Sequence, residues 1–96
     1  MENEEFLMKA KKFLEFLEND FFKNPFSEST VKNDLEIKKM IGGLSEKKRY
    51  YFNSFAETEQ TIDNILSKLP NDHELAISYE RCKNQINKLR NLVWNY

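Results

Sequence analysis

Pro70 splits the last half of this chain into two stretches that share one period. Before it, Tyr51, Phe55, Thr58, Ile62, Ile65 and Leu69 step by 4, 3, 4, 3 and 4, with Leu44 a heptad ahead of Tyr51. After it, Leu75, Tyr79, Cys82, Ile86, Leu89, Val93 and Tyr96 step by 4, 3, 4, 3, 4 and 3. A strand alternates every second residue, so rows of this period mark helices. Proline lacks the N–H that would continue the first helix, and Asn71 with Glu74 three residues on has the form of a capping box for the second. So short a connection makes the two helices antiparallel neighbours. Residues 44–96 are therefore expected as a long antiparallel helical hairpin. Each arm is roughly 30–40 Å long at about 1.5 Å per residue, with a seam spacing that suits shallow-angle packing.

The first half must supply what covers that hairpin. Leu7, Ala10, Leu14, Leu17 and Phe21 form a heptad row, widened by Phe6 and Phe13, which predicts a helix over 4–22. Met8, Phe16 and Phe22 fall outside its face, and uncovered apolar side chains there point to a homodimer. Asn24-Pro25 ends this helix, because a residue before proline is pushed out of the α region. A linker rich in the capping residues Ser27, Ser29 and Thr30 follows, then a shorter helix over about 30–41. Its core side reads as Ile37, Ile41 and Leu44, with Val31 and Leu35 less well phased, and Gly42-Gly43 stops it. Two glycines and two prolines leave little room for the turns of a β fold. The fold class expected is all-α: an up-and-down bundle of three to four helices, forming one domain over residues 1–96.

Composition excludes several functions. The 40% hydrophobic and 32% charged residues describe a globular chain, and a net charge of −1 gives no global field for DNA or membranes. One cysteine allows no intrachain disulfide and no cysteine metal site. No apolar run reaches the length of a membrane span, and the acidic start has the wrong sign for a secretory signal, so a cytoplasmic location is expected. Twelve lysines against three arginines, with eleven asparagines, suggest an AT-rich genome or a mobile element.

The charges are ordered along the chain. Residues 21–50 carry net +3 and residues 76–96 net +3, whereas residues 51–75 carry net −4. Folding at Pro70 is expected to bring Lys88 and Arg90 toward Lys47, Lys48 and Arg49 and make one end of the bundle basic. Lys47, Lys48 and Arg49 sit in the first turns of a helix, where the dipole disfavours cations by about 0.3–1 kcal/mol each. A local rule broken without evident gain marks a candidate site. Tyr50 and Trp94 stand one residue off their seams. Trp94 shares its stripe with Lys83, Asn87 and Arg90, a setting in which a tryptophan either covers the bundle's edge or anchors a partner. The candidate partner-binding residues are Lys47, Lys48, Arg49, Tyr50, Lys88, Arg90 and Trp94.

Catalytic chemistry finds no foothold. His73, the sole histidine, lies between Asp72 and Glu74, and three consecutive residues point in different directions, unlike metal ligands. Cys82 lies within a seam, where cysteine acts as a small hydrophobe. Glu57 and Glu59 are two apart on a helix and do not face each other. Gly42-Gly43 lacks the lysine and serine or threonine of a phosphate loop. No enzyme, metal or cofactor is expected.

In size, lysine bias and helix pattern the chain is similar to small cytosolic bacteriocin-immunity bundles and to phage-encoded inhibitors, with no shared motif. The lack of a catalytic motif and the aromatic residues outside the seams lead to the expectation of a non-catalytic adaptor, inhibitor or immunity-type module acting on a protein partner, which could be its own copy. The alternative is nucleic-acid binding through the basic end.

Overall fold

The computed structural model describes residues 2–96, and side chains from Glu4 onward. It contains four α-helices and, among the described residues, no strand: α1 (Glu2–Phe16), α2 (Glu28–Ile41), α3 (Leu44–Leu66) and α4 (Glu74–Trp94). The all-α bundle and the α3–α4 hairpin are as the period requires. Phe55, Ile62, Tyr79, Ile86, Leu89 and Val93 are sealed from solvent along the seam, while Thr58, its one polar member, is half-buried. None of the helices is long and apolar enough to cross a membrane.

Both ends of the hairpin turn differ from expectation in detail. α3 stops at Leu66, not Leu69. The Pro70 ring clashes with a helical carbonyl four residues back, which is that of Leu66; the chain tightens there, with Leu69 N–H donating to the Leu66 carbonyl at 3.2 Å. Leu69 is still buried. The cap of α4 is His73, not Asn71: its Nδ1 accepts from the Leu75 N–H at 3.0 Å. The turn closed by His73 N–H on the Pro70 carbonyl, 3.1 Å, puts His73, three residues past proline, at the capping position and starts the helix at Glu74.

α1 buries Ala10 and Leu14, and the row continues through Leu17 and Phe21 as expected. Residues Leu17–Phe21 are wound as one π-helical turn, with Phe22 N–H reaching back five residues to the Leu17 carbonyl at 2.9 Å. The extra residue in that turn redirects the chain. Phe21 then stacks on Phe26 with ring centroids 4.3 Å apart, and Phe26 meets Tyr51 and Phe55 edge-on at 5.8 and 5.9 Å. The linker thus contributes a core residue of its own. Ser27 caps α2 by accepting from the Thr30 N–H.

α1 and α2 follow one another down one side of the hairpin. The Tyr79 hydroxyl donates to the Ala10 carbonyl of α1. Farther down, the Tyr51 hydroxyl donates to Asp34 of α2 at 2.8 Å, and the Tyr96 hydroxyl donates to Glu36. The molecule is a rod of 53 × 20 × 18 Å.

The core face of α2 is a correction. Val31 and Leu35 are fully buried, whereas Ile37 and Ile41 are exposed. The row Ile37, Ile41, Leu44 was counted through Gly42 and Gly43, whose φ angles are +100° and +94°. A helical period has no meaning across two residues in a conformation that side chains rarely adopt. Leu44 belongs to α3, and only it is partly covered.

Candidate functional site

Cross-helix contacts fix the register of the hairpin and with it the placement of the basic residues. Asp63 pairs with Lys83 at 2.8 Å, Glu59 with Arg90 at 2.7 Å, and Phe52 packs against Trp94 with centroids 6.1 Å apart. The last helical residue of α4 therefore lies beside Phe52. The first eight residues of α3, about 12 Å of helix, extend past it together with the end of α2. This projecting end is joined only by the tight Gly42-Gly43 turn.

That register separates the seven candidate residues. Arg90 is not beside Lys47–Arg49: it bonds Glu59 and Asn87, ten residues along α3 from Arg49, roughly 15 Å away. Lys88, two residues earlier on α4, is exposed. The Asp63–Lys83 and Glu59–Arg90 pairs pin α3 to α4 at a part-exposed flank, where each is worth about 0–1 kcal/mol. The hydrogen bond from Lys83 to Asp63 also raises the lysine's pKa. Four candidates do gather at the projecting end. Lys47 pairs with Asp34 at 3.4 Å and lies 4.8 Å from the Tyr50 ring centroid, tying α3 to α2. Tyr50 stands half out of the surface above Phe26, at 6.4 Å. Lys48 and Arg49 make no ion pair among the described residues. Trp94 lies nearby on α4, 72% exposed, so it anchors no core.

Sequence reasoning missed the apolar part of this end. Met40, Ile41 and Trp94, at 82%, 72% and 72%, are the most exposed large hydrophobic side chains described, and Ile37 and Tyr50 lie in the same region. The helical period places Ile37 and Ile41 in the core and singles out neither Met40 nor Phe52. The available signal was the glycine pair: a row that needs Gly42-Gly43 to be helical should have been broken there.

The electrostatics at this end are simple. α3 begins at Gly43, which has no side chain to cap the free amides, so Lys47, Lys48 and Arg49 add to the positive end of the helix dipole. Lys38 and Lys39 end α2, where the dipole favours them. The hollow between Lys38, Gly43, Glu46, Lys47 and Tyr50 is about 220 Å³, below the roughly 300–1,000 Å³ of small-ligand pockets.

Residues with potential chemistry elsewhere are used by the fold. His73 caps α4. Cys82 is buried, and burial first, then the charge of Glu18, pushes its thiol up to about 11, far from the thiolate a nucleophile needs. Tyr51 is raised by burial and by its bond to Asp34. Among the described residues no three His, Cys, Asp or Glu side chains converge as a metal would require. Compared with protein-family models, curated proteins and solved structures, the chain matches none.

Proposed function

We propose that this chain is a non-catalytic binding module, of the adaptor, inhibitor or immunity type, that engages a protein partner through the end of the bundle projecting past α4. The observation that carries this reading is Trp94. An indole 72% exposed, meeting Phe52 at a tilted angle with centroids 6.1 Å apart, contributes little to the fold, and exposed tryptophans are preferred anchors of protein interfaces. Lys48 and Arg49, which make no ion pair among the described residues, supply the steering charge.

The test uses the full chain as bait in extract of its source cells, with Trp94→Ala and the double variant Lys48→Glu/Arg49→Glu alongside. Both variants are expected to keep the parent's helical spectrum. The charge reversal should melt at the same temperature or slightly higher, since acids suit a helix start by about 0.3–1 kcal/mol each. A specific partner held by the parent and lost by both variants supports the reading; a partner retained by both refutes it.

A second reading has its own observation, the cations placed against the α3 dipole. These suit phosphates, and nucleic-acid binding would weaken steeply as salt rises, in proportion to the number of phosphates contacted. A complex that survives both nuclease treatment and high salt excludes it.

A further inference from the structure

The outer face of the last two turns of α2 is apolar, and nothing described in the fold covers it. Ile37, Met40 and Ile41 stand at i, i+3 and i+4, hence on one side of the helix, opposite the buried Val31 and Leu35. They project at the extremity of the rod, next to the Gly42-Gly43 turn, where a side chain at Gly42 would meet nothing. Lys38 and Lys39 stand between Ile37 and Met40 in sequence.

We infer that this tip docks on the surface of an anionic lipid bilayer, with Ile37, Met40 and Ile41 entering the boundary between headgroups and acyl chains. This goes beyond the protein-binding reading: it shares Lys48 and Arg49 with that reading but turns on Ile37, Met40 and Ile41, which that reading does not use. Charge gives the first argument. Residues 34–49 hold five cations against Asp34, Glu36 and Glu46. Asp34 is taken by Lys47 and Tyr51, and Glu36 accepts from Tyr96. Glu46 lines the hollow with Lys38 and Lys47, so residues 34–49 keep a net charge of +2; Lys39, Lys48 and Arg49 make no ion pair among the described residues and suit the phosphates of anionic lipids. A second copy of this chain fits less well, because a two-fold contact at this end sets its net positive charge against that of its own counterpart.

Shape gives the second argument. The patch lies at a narrow end of the rod, beside the open Gly42-Gly43 turn, whereas a partner protein needs a surface shaped to receive it. A bilayer closes around any apolar wedge. Tyr50, half exposed at the same end, has the amphipathic ring that favours the headgroup level. With no helix fit to cross a membrane, the mode is one of lying on the surface.

The test is co-sedimentation of the full chain with vesicles of phosphatidylcholine alone and of phosphatidylcholine mixed with phosphatidylserine. Binding is expected only to the mixed vesicles. Met40→Asp/Ile41→Asp and, separately, Lys38→Glu/Lys39→Glu should each weaken it by tenfold or more, since one cation near the surface is worth about 1 kcal/mol and 1.4 kcal/mol is tenfold. The apolar variant should melt like the parent and the charge reversal slightly lower, since acids are disfavoured at the end of α2; both should keep the parent's helical spectrum. No binding to the mixed vesicles overturns the proposal. So does binding that the apolar variant retains, which would be adsorption by charge alone. A dimer in sedimentation that Met40→Asp/Ile41→Asp dissolves assigns the face to a second copy, and retention on an acidic polypeptide without vesicle binding assigns it to a protein; either result also overturns it.

Discussion

α1 and α2 pack against the same hairpin from the same side, but they commit their apolar residues differently. α1 and the π turn after it place Ala10, Leu14, Leu17 and Phe21 in the core. Phe16, which does face outward, still lies against Phe13 and Phe21 at 6.2 Å. α2 buries only Val31 and Leu35 and presents Ile37, Met40 and Ile41 to solvent, flanked by lysines. α1 runs where both hairpin helices are present, so a full stripe has somewhere to go. The end of α2 runs beyond the last turn of α4, where half of the possible cover is missing. Apolar residues left outside a protein by geometry of this kind are candidates for function rather than defects of packing.

The contrast can be tested by substitution. Phe55→Ala, at the point where Phe26, Tyr51 and Phe55 meet, should cost about 3–5 kcal/mol, a fall in melting temperature of roughly 4–8 °C for each kcal/mol in a domain of this size. A parent-like melt would mean that the aromatic cluster does not hold the linker against α3.

Next come Leu35→Ala and Ile37→Ala, two residues apart on one helix. The first should cost about 2–5 kcal/mol, the second under about 1 kcal/mol. Equal losses by chemical denaturation would return the core face of α2 to the phase read from sequence.

A smaller effect belongs to Tyr79, whose buried hydroxyl holds α1 to α4. Tyr79→Phe should cost about 0.5–1.5 kcal/mol. Its pH dependence follows from burial, which pushes the phenol up from 10 to about 12 in the folded state. The neutral phenol is favoured by folding, so its contribution is fully present below pH 10 and is lost as pH rises toward 12. Melting curves across that window should fall more steeply for the parent than for Tyr79→Phe; parallel curves would show that Tyr79 does not carry the alkaline limb. Tyr51 is raised in the same direction by burial and Asp34, so some slope should remain in the variant.

The smallest effect is expected at the tip. Met40→Ser should change stability by no more than about 0.5 kcal/mol, as surface substitutions do. A melting temperature lowered as far as in Leu35→Ala would show that the tip is covered in solution, and sedimentation would then find by how many chains.

Seams and stops were legible in the residues. The rows through Tyr51–Leu69 and Leu75–Tyr96, the break at Pro70 and the glycine pair after α2 follow from the 3.6-residue period and from backbone sterics, which act over a few residues and leave their mark in sequence. The candidate site was legible in part: Lys47, Lys48, Arg49, Tyr50 and Trp94 gather at one end, while Arg90 does not join them. Tertiary structure decided the rest. Register, marked by Glu59–Arg90, Asp63–Lys83 and Phe52–Trp94, was decided by how the buried side chains of the seam interlock, since an antiparallel pair of helices can slide by a turn without changing which faces are apolar. The buried face of α2 was set by Phe26 docking on Tyr51 and Phe55, and the exposure of Ile37, Met40, Ile41 and Trp94 by where α4 ends beside α3. A sequence states which side chains need cover; only the packed chain determines which of them receive it.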